Sequence, residues 1–191
     1  FNGYIGFPGA ISRVYTIAED TSTGILYVGG NFPYWDQGPL GGTSDPYPNS
    51  KLIVALNGED ASTIAGFQSY FVDEAYSVSK IKIYNGKIYV AGSFGEYDGE
   101  IKRGIVRLNM DGSLDGSWNS AGVGIDSDLS GVADFAFYGS YIYITGRFTS
   151  YNGVARNRIA RLNLTDGTLD TGWDPGAGAV AGACEGILLR R

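Results

Sequence analysis

Apolar and polar residues alternate along short segments of this chain, a pattern typical of half-buried β-strands. Residues 80–84 alternate in this way, Asn85-Gly86 supplies two residues that tolerate the positive φ angles of a two-residue turn, and residues 87–90 resume the strand pattern. Residues 135–144 repeat the arrangement, with Gly139-Ser140 as the turn. We therefore predict two β-hairpins and, since long helical segments are not apparent, an all-β fold.

The two hairpins belong to a repeat with an offset of 54 residues. Residues 88–94 (IYVAGSF) match residues 142–148 (IYITGRF). A third strand is predicted at residues 105–109, and its counterpart lies at residues 159–163. The same offset aligns Tyr97-Asp98-Gly99 with Tyr151-Asn152-Gly153, and one inserted residue then aligns Asp111 and Trp118 with Asp166 and Trp173.

A more divergent copy precedes these two. Residues 25–32 (ILYVGGNF) match residues 87–94, and residues 52–57 match the later strand. This copy carries about ten extra residues between these landmarks, within residues 37–49, where Gly, Pro, Ser and Asp predominate. We interpret this insertion as a surface loop.

Three to four strands in roughly fifty residues is the size of one propeller blade. We predict β-propeller blades in about three repeats of ~54 residues, with a divergent first blade at 1–72, a second at 73–125, a third at 126–178, and a partial next strand or tail at 179–191. Propellers typically have about four to eight blades, so three would leave the ring incomplete. We expect the missing blades to come from a longer chain, from several copies or from another subunit.

The repeated landmarks resemble a known family. The segment IYVAGSF, the Tyr-Asp-Gly turn, and the run RLNMDGSLDGSW are similar to the delta-60 type of β-propeller repeat, which occurs in bacterial surface proteins and phage-associated proteins. The resemblance covers most of residues 12–178. It implies a propeller fold and an extracellular, cell-surface or virion location, but it implies no activity, because one fold serves many functions.

Composition narrows the possible partners. The net charge of −6 and the pI near 4.6 argue against nucleic acid, whose phosphates require clustered Lys and Arg. No apolar run approaches the roughly 20 residues needed to cross a bilayer, so we expect no membrane insertion. The chain has no histidine and a single cysteine, Cys184, which removes the commonest general base and any intrachain disulfide.

The sequence provides little for catalysis, and we predict no enzyme activity, cofactor or metal. It lacks a nucleophile elbow, a phosphate-binding loop and a histidine-based metal motif. The oxygens of Asn109, Asp111 and Asp115 are too few for a calcium loop, so the Asp-Gly pairs are interpreted as turns. The carboxylate pairs Asp73-Glu74 and Asp126-Asp128 have the residue types of a glycosidase, yet carboxylates are common in turns.

Residues that recur between copies are interpreted as structural. Trp118 and Trp173 are expected to plug the space between blades rather than to form a platform for sugars. Arg107 and Arg161 lie on otherwise apolar strands, so each is expected to pair with a carboxylate, with Asp115 and Asp170 as candidates. The other recurring aromatic positions are Phe32, Phe94 and Phe148, and Trp35, Tyr97 and Tyr151.

Residues that occur in one copy only are better candidates for binding, because the repeat does not require them. Gln37, Asp45 and Tyr47 in the insertion meet this criterion. We predict a noncatalytic scaffold or adhesion module of a virion or cell surface that binds other protein subunits. The alternative is a lectin that binds surface glycans through loops on one propeller face.

Overall fold

The structure is a computed structural model that describes residues 13–32, 52–71, 77–126, 131–179 and 186–187. These residues form thirteen β-strands and no helix, which confirms the predicted all-β class. The strands are β1 Arg13–Asp20, β2 Ile25–Asn31, β3 Ile53–Asn57, β4 Ser77–Tyr84, β5 Lys87–Ser93, β6 Glu96–Tyr97, β7 Glu100–Ile101, β8 Ile105–Leu108, β9 Val132–Tyr138, β10 Tyr141–Gly146, β11 Ser150–Tyr151, β12 Val154–Ala155 and β13 Ile159–Asn163.

Three antiparallel sheets repeat along the chain, and we call them blades 1, 2 and 3. Blade 1 has the strand order β1-β2-β3, blade 2 the order β4-β5-β8, and blade 3 the order β9-β10-β13. Each therefore has the second strand of its hairpin at the centre. The blades follow one another without closing a ring within the described residues, as the sequence predicted.

The predicted hairpin of blade 2 is present. Ile83 pairs with Ile88 and Tyr84 with Lys87, which leaves Asn85 and Gly86 as the turn. Both turn residues have positive φ, 49° and 66°, as the predicted turn type requires.

The fourth strand of each blade is shorter than the repeat suggested. It is reduced to one bridge pair: Leu56 with Thr63 in blade 1, Leu108 with Leu114 in blade 2, and Leu162 with Leu169 in blade 3. In blade 2 the chain turns again at once, because the Trp118 N–H donates to the Asp115 carbonyl. Two small hairpins, β6-β7 and β11-β12, were not predicted, although their turns fall on the repeated Tyr-Asp-Gly and Tyr-Asn-Gly segments.

Each central strand requires a glycine near its end for a steric reason. A Cβ on Gly92 would lie 2.1 Å from the Ser77 carbonyl oxygen, and the corresponding distances are 1.9 Å for Gly30 and 2.2 Å for Gly146. At each of these positions the neighbouring first strand shifts register, which brings its backbone close. Only glycine fits there without moving main chain.

The blades stack face to face and bury their apolar side chains between them. We call the face that a blade turns towards the following blade its trailing face, and the opposite one its leading face. One core cluster joins the trailing face of blade 1 to blade 2, and a second joins the trailing face of blade 2 to blade 3. The second cluster contains Tyr89, Ile105 and Trp118 from blade 2 and Phe135, Ile144 and Leu162 from blade 3.

Candidate interaction surface

Trp118 lies at the joint between blades 2 and 3. Its side chain is 2% exposed and packs edge-on against Tyr89, with ring centroids 6.0 Å apart. The indole N–H donates to the carbonyl of Leu164 in blade 3, over 3.3 Å. Trp118 therefore combines apolar burial with a directed hydrogen bond across the blades.

The Asp-Gly turn of blade 3 closes over this indole. Gly167 has φ +72°, and a Cβ on it would lie 2.6 Å from two indole ring carbons of Trp118. Next to it, the Asn119 N–H donates to the Asp166 carbonyl over 2.6 Å. The turns are thus contact points between blades, a role that the sequence did not reveal.

Arg107 also reaches from blade 2 to blade 3. Its Nε lies 2.9 Å from Asp115 Oδ2, and its Nη1 donates to the carbonyls of Leu164 and Thr165 over 3.3 and 3.1 Å. Burial opposes ionisation of Asp115, but hydrogen bonds from Ser117 and Lys87 and the charge of Arg107 outweigh it, so its pKa lies well below its ordinary value. The ion pair suggested by the sequence is present and holds the guanidinium against the next blade.

The joint between blades 1 and 2 has the same plan with a different aromatic residue. Phe67 follows the bridge residue Thr63 by four positions, as Trp118 follows Leu114, and it packs on Tyr27 with centroids 5.4 Å apart. Burial raises the pKa of Tyr27 to about 12. Its hydroxyl donates to the Met110 carbonyl over 3.2 Å. Phe67 does not share the residue type of Trp118, so the repeat pattern in the sequence does not include it, although its spacing from the bridge residue identifies it.

Blade 3 carries the same side chains on a trailing face that no described blade covers. Trp173 packs edge-on against Tyr143 with centroids 5.5 Å apart, but both are only partly buried, unlike Trp118 and Tyr89. Arg161 Nη2 lies 2.5 Å from Asp170 Oδ2, and its guanidinium lies 4.2 Å from the centroid of the Tyr141 ring. We call these five residues, together with Tyr138, which is 61% exposed, the blade 3 seat.

One described segment lies beside the seat in the manner of a next blade. The Ile187 N–H donates to Asp134 Oδ2 over 3.2 Å. In the first joint the Ile81 N–H donates to Thr16 Oγ1 over 3.1 Å, and Thr16 and Asp134 hold equivalent positions in their blades. Residues 186–187 therefore lie beside blade 3 as the first strand of blade 2 lies beside blade 1.

The remaining recurring aromatic residues lie in the interior. Phe32, Phe94 and Phe148 are at most 1% exposed. The buried hydroxyls of Tyr97 and Tyr151 donate to the carbonyls of Gly112 and Gly167 in their own blades, and burial raises the pKa of both. Trp35, the third member of this set, lies outside the described residues, as do the binding candidates Gln37, Asp45 and Tyr47.

The carboxylate pairs do not form a described acid–base site. Asp126 accepts hydrogen bonds from the backbone and the hydroxyl of Thr149, at 2.9 and 2.6 Å, which tie it to the segment before β11. Asp73, Glu74 and Asp128 lie outside the described residues. In the part of the chain that the structure describes, no three His, Cys, Asp or Glu side chains are placed to hold a metal. Nor do the described ranges contain a helix long and apolar enough to span a bilayer.

A comparison with protein families matches two segments, residues 85–117 and 142–172, to a family described as "Domain of unknown function (DUF5122) beta-propeller". The matched segments fall in blades 2 and 3 and include the central strand β5, all of β10 but its first residue, and both Asp-Gly turns. A comparison with curated proteins gave no match. Together with the stacked three-stranded sheets, the family match assigns these repeats to the β-propeller class.

Proposed function

We propose that this chain is a noncatalytic β-propeller module that assembles with other protein subunits, and that the blade 3 seat is its binding surface. The observation that carries the proposal is the contrast between equivalent aromatic residues. Tyr27 and Tyr89 are 1% and 2% exposed under a following blade, whereas Tyr143 in the same position is only partly buried. An aromatic pair with an adjacent arginine is the composition of a protein interface.

The chemistry of the seat favours a protein partner. In the covered joint, the indole N–H of Trp118 and the guanidinium of Arg107 are both satisfied by main-chain carbonyls. Trp173 and Arg161 present the same donors, so the matching partner offers backbone carbonyls at an edge. We place this partner in a virion or on a bacterial cell surface, as the family resemblance implies.

A photo-crosslinking experiment in the native source tests the proposal. Tyr138 is replaced by the photoreactive residue p-benzoylphenylalanine, since it is 61% exposed at the seat. The matched control carries the same residue at Val154, which is 40% exposed on the small hairpin β11-β12. We expect the Tyr138 variant to crosslink to another polypeptide and the Val154 variant to remain uncrosslinked. Crosslinks from Val154 alone, or from neither position, would contradict the proposal.

The lectin alternative depends on Gln37, Asp45 and Tyr47, which the structure does not describe. A glycan array separates the two functions. Binding that is lost in the Tyr47→Ala variant and retained in Trp173→Ala would favour the lectin. Protein crosslinking that requires Trp173, without glycan binding, would favour the assembly module.

A further inference from the structure

We infer that the blade 3 seat accepts a further blade of the type of blades 2 and 3, with glycine in its turn, and rejects the leading face of blade 1. Blades would then add in one direction, and copies of this chain would not join head to tail through blade 1. This inference rests on the proposed function and names the chemistry of the partner.

Both covered joints require the turn glycine of the incoming blade. A Cβ on Gly112 would lie 1.9 Å from the Gln68 carbonyl oxygen of blade 1, and a Cβ on Gly167 would lie 2.6 Å from the Trp118 ring. The Gln68 carbonyl belongs to the main chain, so it cannot rotate away as a flexible side chain can. A blade therefore docks in this geometry only where its turn lacks a Cβ.

Blade 1 has alanine in this position. Ala61 follows the turn aspartate Asp60, has φ +58°, and donates its N–H to the Asn57 carbonyl over 2.9 Å. Gly167 makes the equivalent bond to Asn163, also over 2.9 Å. The turns of blades 1 and 3 therefore share the same hydrogen bond and a positive φ at Ala61 and Gly167. Because of this, the methyl group of Ala61 points to where a preceding blade would lie. Blade 1 cannot seat on Trp173 as Gly167 seats on Trp118.

A second residue on the leading face of blade 1 supports the same conclusion. Glu19 pairs with Leu26, and the positions equivalent to Glu19 are Ile83, paired with Ile88, and Phe137, paired with Ile142. Phe137 packs between two aromatic rings of blade 2, with centroids 4.7 and 5.0 Å away. An exposed carboxylate in its place would have to be desolvated against the tyrosines of the seat.

A third position also differs, since Thr63 stands where Leu114 and Leu169 pack into the covered joints. The first strand otherwise keeps apolar residues on this face. Val14 and Ile17, 39% and 61% exposed, correspond to the buried Val78 and Ile81. Glu19, Ala61 and Thr63 are therefore the three described changes on which the selectivity depends.

The experiment uses the chain extended in place, so that each candidate blade is presented to the seat at high effective concentration. Residues 1–178 are followed either by residues 126–191, which carry the glycine turn, or by residues 13–72, which carry Glu19 and Ala61. All tryptophans except the first Trp173 are replaced by Phe, which blade 1 already has at Phe67 in the position of Trp118. Acrylamide quenching of Trp173 fluorescence reports whether the seat is covered.

We expect the glycine-turn extension to lower the quenching constant of Trp173 severalfold and the blade 1 extension to leave it unchanged. Introducing Glu19→Ile, Ala61→Gly and Thr63→Leu into the appended blade 1 should restore the protection. Equal protection by both unmodified extensions, protection by neither, or a failure of the triple substitution would each overturn the inference. Protection in this assay without a Tyr138 crosslink in the native source would retain the selectivity and reject the proposed function.

Discussion

Replacing Trp118 by alanine tests how much of the stability resides in the joint between blades. The side chain is 2% exposed and packed against Tyr89 and the Gly167 turn. Truncating a buried tryptophan typically costs about 3–5 kcal/mol through lost burial and the cavity left behind. The Leu164 carbonyl keeps a second donor, Arg107 Nη1 at 3.3 Å, so its desolvation adds little. We therefore expect a loss of about 4 kcal/mol.

Urea denaturation followed by far-ultraviolet circular dichroism measures this loss. With a slope of about 2 kcal/mol per molar urea, 4 kcal/mol corresponds to a shift of about 2 M in the midpoint. Trp173→Ala is the matched control. Because Trp173 is only partly buried, its truncation should cost about 1–2 kcal/mol, which is a midpoint shift below about 1 M.

Equal shifts for the two variants would refute the reasoning, since they would show that the following blade contributes nothing to the burial of Trp118. A Trp118→Phe variant checks the role of the cavity. It should recover most of the loss, because phenylalanine already fills the equivalent position at Phe67, which is 6% exposed.

Two further predictions concern Gly92 and Asp115. Gly92→Ala places a Cβ 2.1 Å from a main-chain oxygen and should lower the free energy of unfolding by the upper end of the roughly 1–3 kcal/mol typical of overpacking. Gly116→Ala, where nothing lies within 4 Å, should stay within about 0.5 kcal/mol of the parent in the same thermal or urea titration. Asp115→Asn should cost about 3 kcal/mol at pH 7, because it leaves Arg107 without its carboxylate. The pKa of Asp115 in the folded state lies below its ordinary value. The stability that the ionised Asp115 contributes is therefore present above about pH 4 and is lost as the pH falls further.

The predictions for Gly92 and Asp115 each have their own control. Comparable losses in the free energy of unfolding for Gly92→Ala and Gly116→Ala would show that the close approach of the Ser77 carbonyl does not require glycine at position 92. For Asp115, the stability difference from the parent is measured between pH 7 and pH 2, with Asp170→Asn as the matched variant in the more exposed pair of blade 3. The difference should shrink in acid and be smaller for Asp170. A difference that grows in acid would contradict the assigned direction of the pKa shift.

Local signals in the sequence were enough to predict the sheets. The hairpin of blade 2 follows from alternation around Asn85-Gly86, and the Arg107–Asp115 pair follows from a charged residue on an apolar strand. These features depend on residues that are close in sequence or share a strand face. The periodicity of apolar residues and the residue types of turns predict contacts of this local kind directly.

The contacts between blades were harder to predict, because they join segments about fifty residues apart. The Asp-Gly turns are ordinary turns in the sequence, and only the packed blades show that Gly167 covers Trp118. Phe67 was missed for a related reason: the position is preserved in blade 1, but the residue type is not. Alignment by the bridge pairs Thr63, Leu114 and Leu169 would have identified it.

The most direct test of the stacked-blade account is an NMR measurement on the whole chain. In the structure, Gly167 lies so close to the Trp118 ring that an added Cβ would be 2.6 Å from it, although the two residues belong to successive blades. We predict nuclear Overhauser contacts between the Gly167 α-protons and the Trp118 indole, with a marked ring-current shift of those α-protons. An unshifted Gly167 with no such contact would show that the two sheets do not pack as described.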